Sequence, residues 1–506
     1  MKLFNFLKRE NKVRVRFAPS PTGSIHVGNL RTALFAWLFA RHHQGDFLVR
    51  IEDTDRKRLD EEATRKIFES LSWIGLNVDE GVYLNENLEI SQKGNLGPYI
   101  QSERLEIYQK HIQELIKKGK AYYCFCSEER LKEVHEKQQA EKQPIMYDKK
   151  CRDLTSQEIE EKIKNGESYV IRMRVPENEI IQFEDKVFGK ISVKSKIIDD
   201  QVLIKADGFP TYHFAVVVDD HLMKITHIFR GEDWIPSAPK HILLYQFFGW
   251  DLPVFVHLPN VLGENKKKLS KRDGSVSVED FMKKGYLPEA LVNFLALLGW
   301  NSKTEQEIFT YDELIEKFSI DGLNKSGAIF NYQKLNWFNK EYLKLMSDED
   351  FKNKIWGFLS EDFRKKAETN LVVFEKVLPI IKERIEKFED VVEMEEVGEL
   401  GYYFVQPDYG LEKMFWKDEK DSQKTIEKLS QIISLLEDVD DFTAENIKEK
   451  IWDYATEQGR GSVLWPMRFA LSGKEKSPDP FVLAEILGKE EVKSRLNYAI
   501  KKISQN

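Results

Sequence analysis

Cysteine is scarce in this chain. The 506 residues hold three, Cys124, Cys126 and Cys151, an odd and sparse number that fits a reducing cytoplasm better than a disulfide framework. Long apolar runs are missing as well. No stretch of about 18 apolar residues exists, so no membrane-spanning helix is expected. The N-terminal stretch Met1-Lys2-Leu3-Phe4-Asn5-Phe6-Leu7 is too short for a secretory core, and Lys8 and Arg9 interrupt it. An excess of positive charge is also lacking, since the formal net charge is −8. Composition alone therefore argues mildly against a nucleic-acid partner, and any RNA must be held by local basic patches on an acidic body. Internal repeats and low-complexity tracts are absent too. What is present is 41% hydrophobic and 32% charged residues, a globular composition with apolar material for several cores. At roughly 100–200 residues per domain, the length predicts three to five domains.

Val13, Val15 and Phe17 alternate with Arg14 and Arg16, which predicts a strand. The turn-rich segment Pro19-Ser20-Pro21-Thr22-Gly23 follows, and then Leu30, Ala33, Leu34, Trp37 and Leu38 recur at helical spacing. Gly45-Asp46 ends that helix, and Phe47 to Ile51 reads as a second strand. Strand, loop, helix and strand in about 40 residues form a βαβ unit and predict a parallel sheet. Ligands of such sheets bind beyond the carboxyl ends of the strands, where the loop at 18–29 and Glu52-Asp53 lie. A helix is expected over 104–118, with Leu105, Tyr108, Ile112 and Leu115 on one face. The cysteine-bearing stretch from 121 to about 210 has mixed signals and reads as an insertion. Residues 211–262 return to buried strands and helices, with apolar runs at Phe214 to Val218 and Ile225 to Phe229 before a helix through Ile242 to Tyr245. Beyond about 275 the chain is largely helical: Ile426, Leu429, Ile433 and Leu436 fall three or four apart, and Thr443 caps a helix that Gly459 ends.

Three constellations carry chemistry. Ser24-Ile25-His26-Val27-Gly28-Asn29 opens the first helix. A helix start offers free N–H groups and a positive dipole end to a phosphate, a first-turn histidine adds a donor, and Gly28 admits close approach. Lys268-Leu269-Ser270-Lys271-Arg272, preceded by Lys266 and Lys267, gives a basic loop whose cations can follow charge developing on a phosphate. Cys124-Phe125-Cys126 and Cys151 lie within 28 positions; two cysteines one residue apart clamp a soft metal, and a third plus one N or O donor completes a tetrahedron.

Taken together, Arg16-Phe17-Ala18-Pro19-Ser20-Pro21-Thr22-Gly23 with His26-Val27-Gly28-Asn29 resembles the HIGH signature of class I aminoacyl-tRNA synthetases, and Lys268 to Arg272 resembles their KMSKS loop. Arg50-Ile51-Glu52-Asp53-Thr54-Asp55, Gly208-Phe209-Pro210-Thr211-Tyr212-His213, Val217 to His221 and Arg230-Gly231-Glu232-Asp233-Trp234 resemble stretches specific to the glutamyl and glutaminyl branch. The resemblance runs from about residue 12 to the C-terminus, densest to about 300, and points to the bacterial glutamyl-tRNA synthetases. The helix-rich tail separates the chain from glutaminyl enzymes, whose anticodon end carries β-barrels, and from the truncated enzymes that glutamylate queuosine.

The resemblance implies an α/β fold: a Rossmann-type parallel sheet with an inserted acceptor-binding α+β domain and an all-α C-terminal anticodon-binding region. The implied domains are catalytic halves at 12–110 and 206–265, the acceptor-arm insertion at 111–205, a stem-contact domain at 266–345, and helical anticodon-binding subdomains at 346–400 and 401–506. It implies glutamate binding by Arg16, Ala18, Ser20, Glu52, Tyr212 and Arg230. Arg16 would take the side-chain carboxylate and Glu52 the α-ammonium. Val216 stands where some members carry an asparagine that contributes to glutamate binding. His26, Gly28, Asn29, Lys268, Ser270 and Lys271 would bind ATP, with His26, Lys268 and Lys271 catalytic. At the cysteine cluster Asp153 replaces the family's usual histidine as fourth ligand, with Tyr147 or the more remote His135 as other donors. Arg384 roughly matches a position that reads the anticodon. The implied activity is ATP-dependent activation of L-glutamate and its transfer to tRNA(Glu) by a cytoplasmic monomer, with Mg²⁺ at the phosphates and a structural Zn²⁺.

Overall fold

A computed structural model describes residues 12–21, 23–54, 61–270, 274, 276–417, 419 and 421–505. The chain divides into two compact units: one comprises the chain up to Lys283 with Leu287–Phe338, the other Lys284–Tyr286 and the chain from Asn339 onward.

The first unit is built on an eight-stranded sheet. Its strands are β1 (Arg14–Phe17), β2 (Asp46–Val49), β3 (Glu80–Leu84), β4 (Ile90–Lys93), β7 (Ile180–Asp185), β8 (Gly189–Lys194), β10 (His227–Gly231) and β11 (Val254–Leu258), in the order β4-β3-β2-β1-β10-β11-β7-β8. The six inner strands run parallel, and an antiparallel hairpin closes each edge. After β1 the chain moves to one side through β2 and β3. It later returns on the other side through β10 and β11, so the order reverses between β1 and β10. This is a Rossmann-type arrangement, whose ligand crevice lies at the reversal. Covered parallel strands are buried on both faces. Arg16, which the Val/Arg alternation would turn to solvent, is accordingly only 4% exposed.

The helix Val27–His42 follows β1 and is buried almost all round, by Leu30, Leu34, Phe35 and Leu38 among others. Of the two apolar runs after residue 211, the first is the helix Tyr212–Leu222 and the second becomes β10. A short apolar run does not reveal its own period, and here Val216 to Val218 pack on a helix with no exposed face. The segment between the catalytic halves forms a separate antiparallel sheet from β5 (Ala121–Cys124), β6 (Val170–Met173) and β9 (Val202–Ile204). The hairpin β7–β8, also within that segment, instead joins the main sheet, where Asp185 pairs with Phe255. A two-stranded parallel ribbon, β12 (Val261–Leu262) with β13 (Ala328–Ile329), completes this unit.

The second unit is helical, with no strand among its described residues. Thr443 caps the helix Ala444–Gln458 by accepting from Asn446 N–H, and Gly459 follows its last turn. In the helix Ser422–Glu437 the buried face is carried by Leu429, Ile432 and Leu436. Pro466, Met467 and Leu471 are buried in the helix Arg460–Ser472.

Candidate active site

A cavity of about 430 Å³ opens at the carboxyl ends of β1 and β10. Arg16, Ala18, Ser20, Glu52, Tyr212 and Arg230, the six residues expected to hold the amino acid, all line it. Trp234 lines it as well, and its ring lies 4.5 Å from that of Tyr212. Val216 is buried and is not part of the lining.

Beneath the cavity, three guanidiniums meet three carboxylates. Arg16 Nε donates to both oxygens of Asp220, at 3.1 and 3.2 Å. Arg50 Nη1 donates to Asp220 at 2.8 Å and Nη2 to Glu52 at 2.9 Å. Arg104 Nε donates to Asp219 at 2.7 Å, where Gln101 and Tyr108 also donate at 2.9 and 2.8 Å. All six charged groups are buried, and buried charge persists only when paired and hydrogen-bonded. Burial alone would raise the Asp220 pKa, but Arg16 and Arg50 outweigh it and hold it below the ordinary value. For Glu52 burial prevails over Arg50, and the pKa rises. The Val217 to His221 stretch carries the Asp219-Asp220 pair, to which motif likeness alone gives no role. Two adjacent carboxylates in an apolar helix are the signal that buried arginines must face them.

A second cavity, of about 270 Å³, is lined by His26, Gly28, Asn29 and Lys268. It shares Asn29, Thr32, Gly231 and Trp234 with the first, so the two adjoin. His26 caps the first helix: its Nδ1 accepts from Gly28 N–H at 3.0 Å. A Cβ at Gly28 would approach that nitrogen to 3.3 Å. The chain beyond the basic loop is stitched to this helix start, with Val27 N–H donating to Val276 O at 2.9 Å and Val278 N–H to Ile25 O at 3.1 Å. Lys268 pairs with Asp233, and Leu269 is buried. Ser270 is exposed and lines neither cavity. Lys271 lies outside the described residues.

The three cysteine sulfurs lie within 4.8 Å of one another. Cys126 Sγ is 3.6 Å from Cys151 Sγ, close to the edge of about 3.8 Å that a tetrahedron with Zn–S bonds of about 2.3 Å requires. The Tyr147 hydroxyl sits among the sulfurs. The Cys124 thiol donates to its Oη at 3.3 Å, Cys126 Sγ lies 3.5 Å from it, and Cys151 N–H donates to it at 2.9 Å. Asp153 does not join the group: it is 87% exposed and its carboxylate faces Arg174 at 3.2 Å. Its pairing with Arg174 at the surface keeps Asp153 away from the buried cluster. His135 is not in the group either.

In the second unit, Arg384 ends the helix Leu371–Arg384 and pairs with Glu399. It borders a cavity that Glu386, Asp390 and Glu393 also line, so its surroundings are acidic.

Residues 12–337 match the family model for tRNA synthetases class I (E and Q), catalytic domain, and residues 341–500 match that for an anticodon binding domain. The chain is 46% identical over 494 residues to the glutamate–tRNA ligase of Alkaliphilus metalliredigens, covering 96% of this chain and 98% of that protein. It is also 46% identical over 490 residues to that of Clostridioides difficile, with the same coverage. A crystal structure of a glutamate tRNA ligase from Elizabethkingia meningosepticum in complex with its amino acid superposes with a TM-score of 0.85, at 37% identity, covering 97% of this chain and all of that one. With the crevice at the strand-order reversal, the paired cavities and near full-length likeness, the chain belongs to the glutamate–tRNA ligases of the class I tRNA synthetases.

Proposed function

We infer that this enzyme activates L-glutamate with ATP to glutamyl-adenylate and transfers the glutamyl group to the 3′-terminal adenosine of tRNA(Glu). The observation that carries this reading is the pair of adjoining cavities, one lined by the six amino-acid residues and the other by His26, Gly28, Asn29 and Lys268. Arg16 and Arg230 are the cations for the substrate's carboxylates, since a guanidinium fork matches a carboxylate. Glu52 takes the α-ammonium and Tyr212 borders the side chain. The helix start at His26 to Asn29 and the cations Lys268 and Lys271 hold the triphosphate, with Ser270 in the same loop. A glutamate carboxylate oxygen attacks the α-phosphorus and pyrophosphate leaves. The terminal ribose hydroxyl then attacks the acyl carbon and AMP leaves. Orientation and charge stabilisation suffice for both steps. Bound Mg²⁺ would share the phosphate charge.

Cys124, Cys126 and Cys151 with the Tyr147 oxygen would hold Zn²⁺, which braces the inserted sheet without entering the chemistry. We assign acceptor-arm binding to the segment 111–205, stem contact to 266–345 and anticodon binding to the helical regions 346–400 and 401–506, with Arg384 as one contact. No described helix is long and apolar enough to cross a membrane; separately, we assign the enzyme to the cytoplasm as a monomer. Aminoacylation with labelled glutamate and labelled glutamine against purified tRNA(Glu) and tRNA(Gln) tests the reading. Glutamate on tRNA(Glu) is expected, and charging with glutamine instead would refute it.

A further inference from the structure

Arg230 is held by groups that the expected site did not include. Its Nε donates to Nε2 of His257 at 2.9 Å, and its Nη1 bonds Nδ1 of His241 at 3.0 Å. His257 is the register partner of Arg230 on β11. Its own Nδ1 lies 2.7 Å from Asp185 Oδ2 on β7. The bonds therefore cross three neighbouring strands, β10, β11 and β7. Asp185 also accepts from the N–H groups of His257, Val187 and Phe188 at 3.0, 2.9 and 2.8 Å. On the other branch, His241 Nε2 lies 3.0 Å from Nδ1 of His213. Arg230, His257, His241 and Asp185 are all buried.

The direction of these bonds follows from donor chemistry. A guanidinium has donors only, so each imidazole must offer it a lone pair. His257 then carries its proton on Nδ1, which Asp185 accepts, and His241 carries its proton on Nε2, which His213 accepts. Both rings are neutral, because a protonated ring has no lone pair and would repel the arginine. Burial, with the Arg230 charge beside it, acts in the same direction on both. Arg230 is thus fixed at two nitrogens by uncharged partners, whereas Arg16 rests directly on the Asp220 carboxylate. Its third nitrogen, Nη2, is buried and makes no hydrogen bond of good geometry, the Tyr212 hydroxyl being the other polar neighbour of the guanidinium, and both residues line the amino-acid cavity.

We propose that His257, backed by Asp185, and His241, backed by His213, are positioning residues for amino-acid binding: they lock the Arg230 guanidinium while leaving Nη2 and its charge to a substrate carboxylate. This rests on the reading of Arg230 as a glutamate-binding residue. It also gives the hairpin β7–β8 a part in the site, since Asp185 comes from the segment between the catalytic halves.

Steady-state aminoacylation with the full-length enzyme and tRNA(Glu) tests it through three variants. His257→Leu removes the acceptor and is expected to raise the glutamate KM about tenfold to a hundredfold while the ATP KM changes less than about twofold. His257→Gln keeps an amide oxygen for Arg230 and an N–H for Asp185, and recovers most of the loss. Arg230→Gln raises the glutamate KM at least as far as His257→Leu. If Arg230→Gln leaves that KM unchanged, the assignment of Arg230 and the positioning role both fall. If Arg230→Gln raises it and folded His257→Leu does not, only the positioning role falls. Equal rises in both KM values, or no recovery in His257→Gln, mark a packing role and overturn the proposal. Should His257→Leu not fold, His241→Leu is read by the same criteria.

Discussion

Arg50 is fully buried and carries its charge among Asp219, Asp220 and Glu52. Removing one member of such a cluster leaves the others charged and unpaired in a water-poor interior. Arg50→Gln is therefore expected to destabilise the protein by about 3 kcal/mol or more, measured by urea unfolding; a loss below about 1 kcal/mol would mean that the carboxylates are relieved by water. The histidines give a second residue-scale expectation. Burial draws His213 and His227 down to about 4, and His241 well below its ordinary value. An unfolded chain takes up these protons below about pH 6.5, while the folded chain refuses them until near pH 4. The stability from these sites is full above pH 6.5 and declines as pH falls through that window. Asp220, whose folded pKa is depressed, stabilises above its unfolded value and loses that contribution only at lower pH. The apparent Tm should thus fall steadily from pH 7 to pH 4.5, and a flat profile would contradict neutral buried histidines.

Single elements show what could be read ahead of the structure. The cap at Thr443 and the stop at Gly459 were legible because capping is local chemistry. Thr443→Ala is expected to cost about 1 kcal/mol in chemical denaturation. The first βαβ unit was legible from its switch of period. The helix Tyr212–Leu222 was not, because a fully buried segment has no polar face to set a period. Which arginines meet Asp220 was illegible for a different reason: Arg16 and Arg50 lie 204 and 170 positions from it, and no local pattern encodes such a meeting. Motif likeness supplied the lining residues but not the histidines behind them, since a lone histidine on an apolar helix or strand reads as core. Lys268 lines the same cavity as His26 and Gly28, the cavity proposed for the triphosphate. Lys268→Ala is expected to lower kcat for aminoacylation about 100-fold with little change in the glutamate KM. A large rise in that KM alone would assign the lysine to the amino acid instead.

Across the whole molecule, the catalytic and anticodon family models meet near residue 340, close to where the chain divides into its two compact units. The cysteine cluster begins at the end of β5 in the small sheet of the first unit, and none of its cysteines lines either cavity. Chelation of the proposed zinc, or Cys151→Ser, should therefore lower the apparent Tm and weaken charging at limiting tRNA while leaving the glutamate KM within about twofold. Zinc analysis of fresh protein before and after the substitution accompanies that measurement. The strand order has a consequence for biosynthesis. β1 pairs with β10 at Val15 and His227, so one wall of the crevice waits while about 200 further residues are translated. At roughly 5–20 residues per second the wait lasts on the order of 10–40 s. During that time the nascent first strands present an open apolar border on the ribosome, and a chaperone has its longest opportunity to bind before the enzyme can close around its substrates.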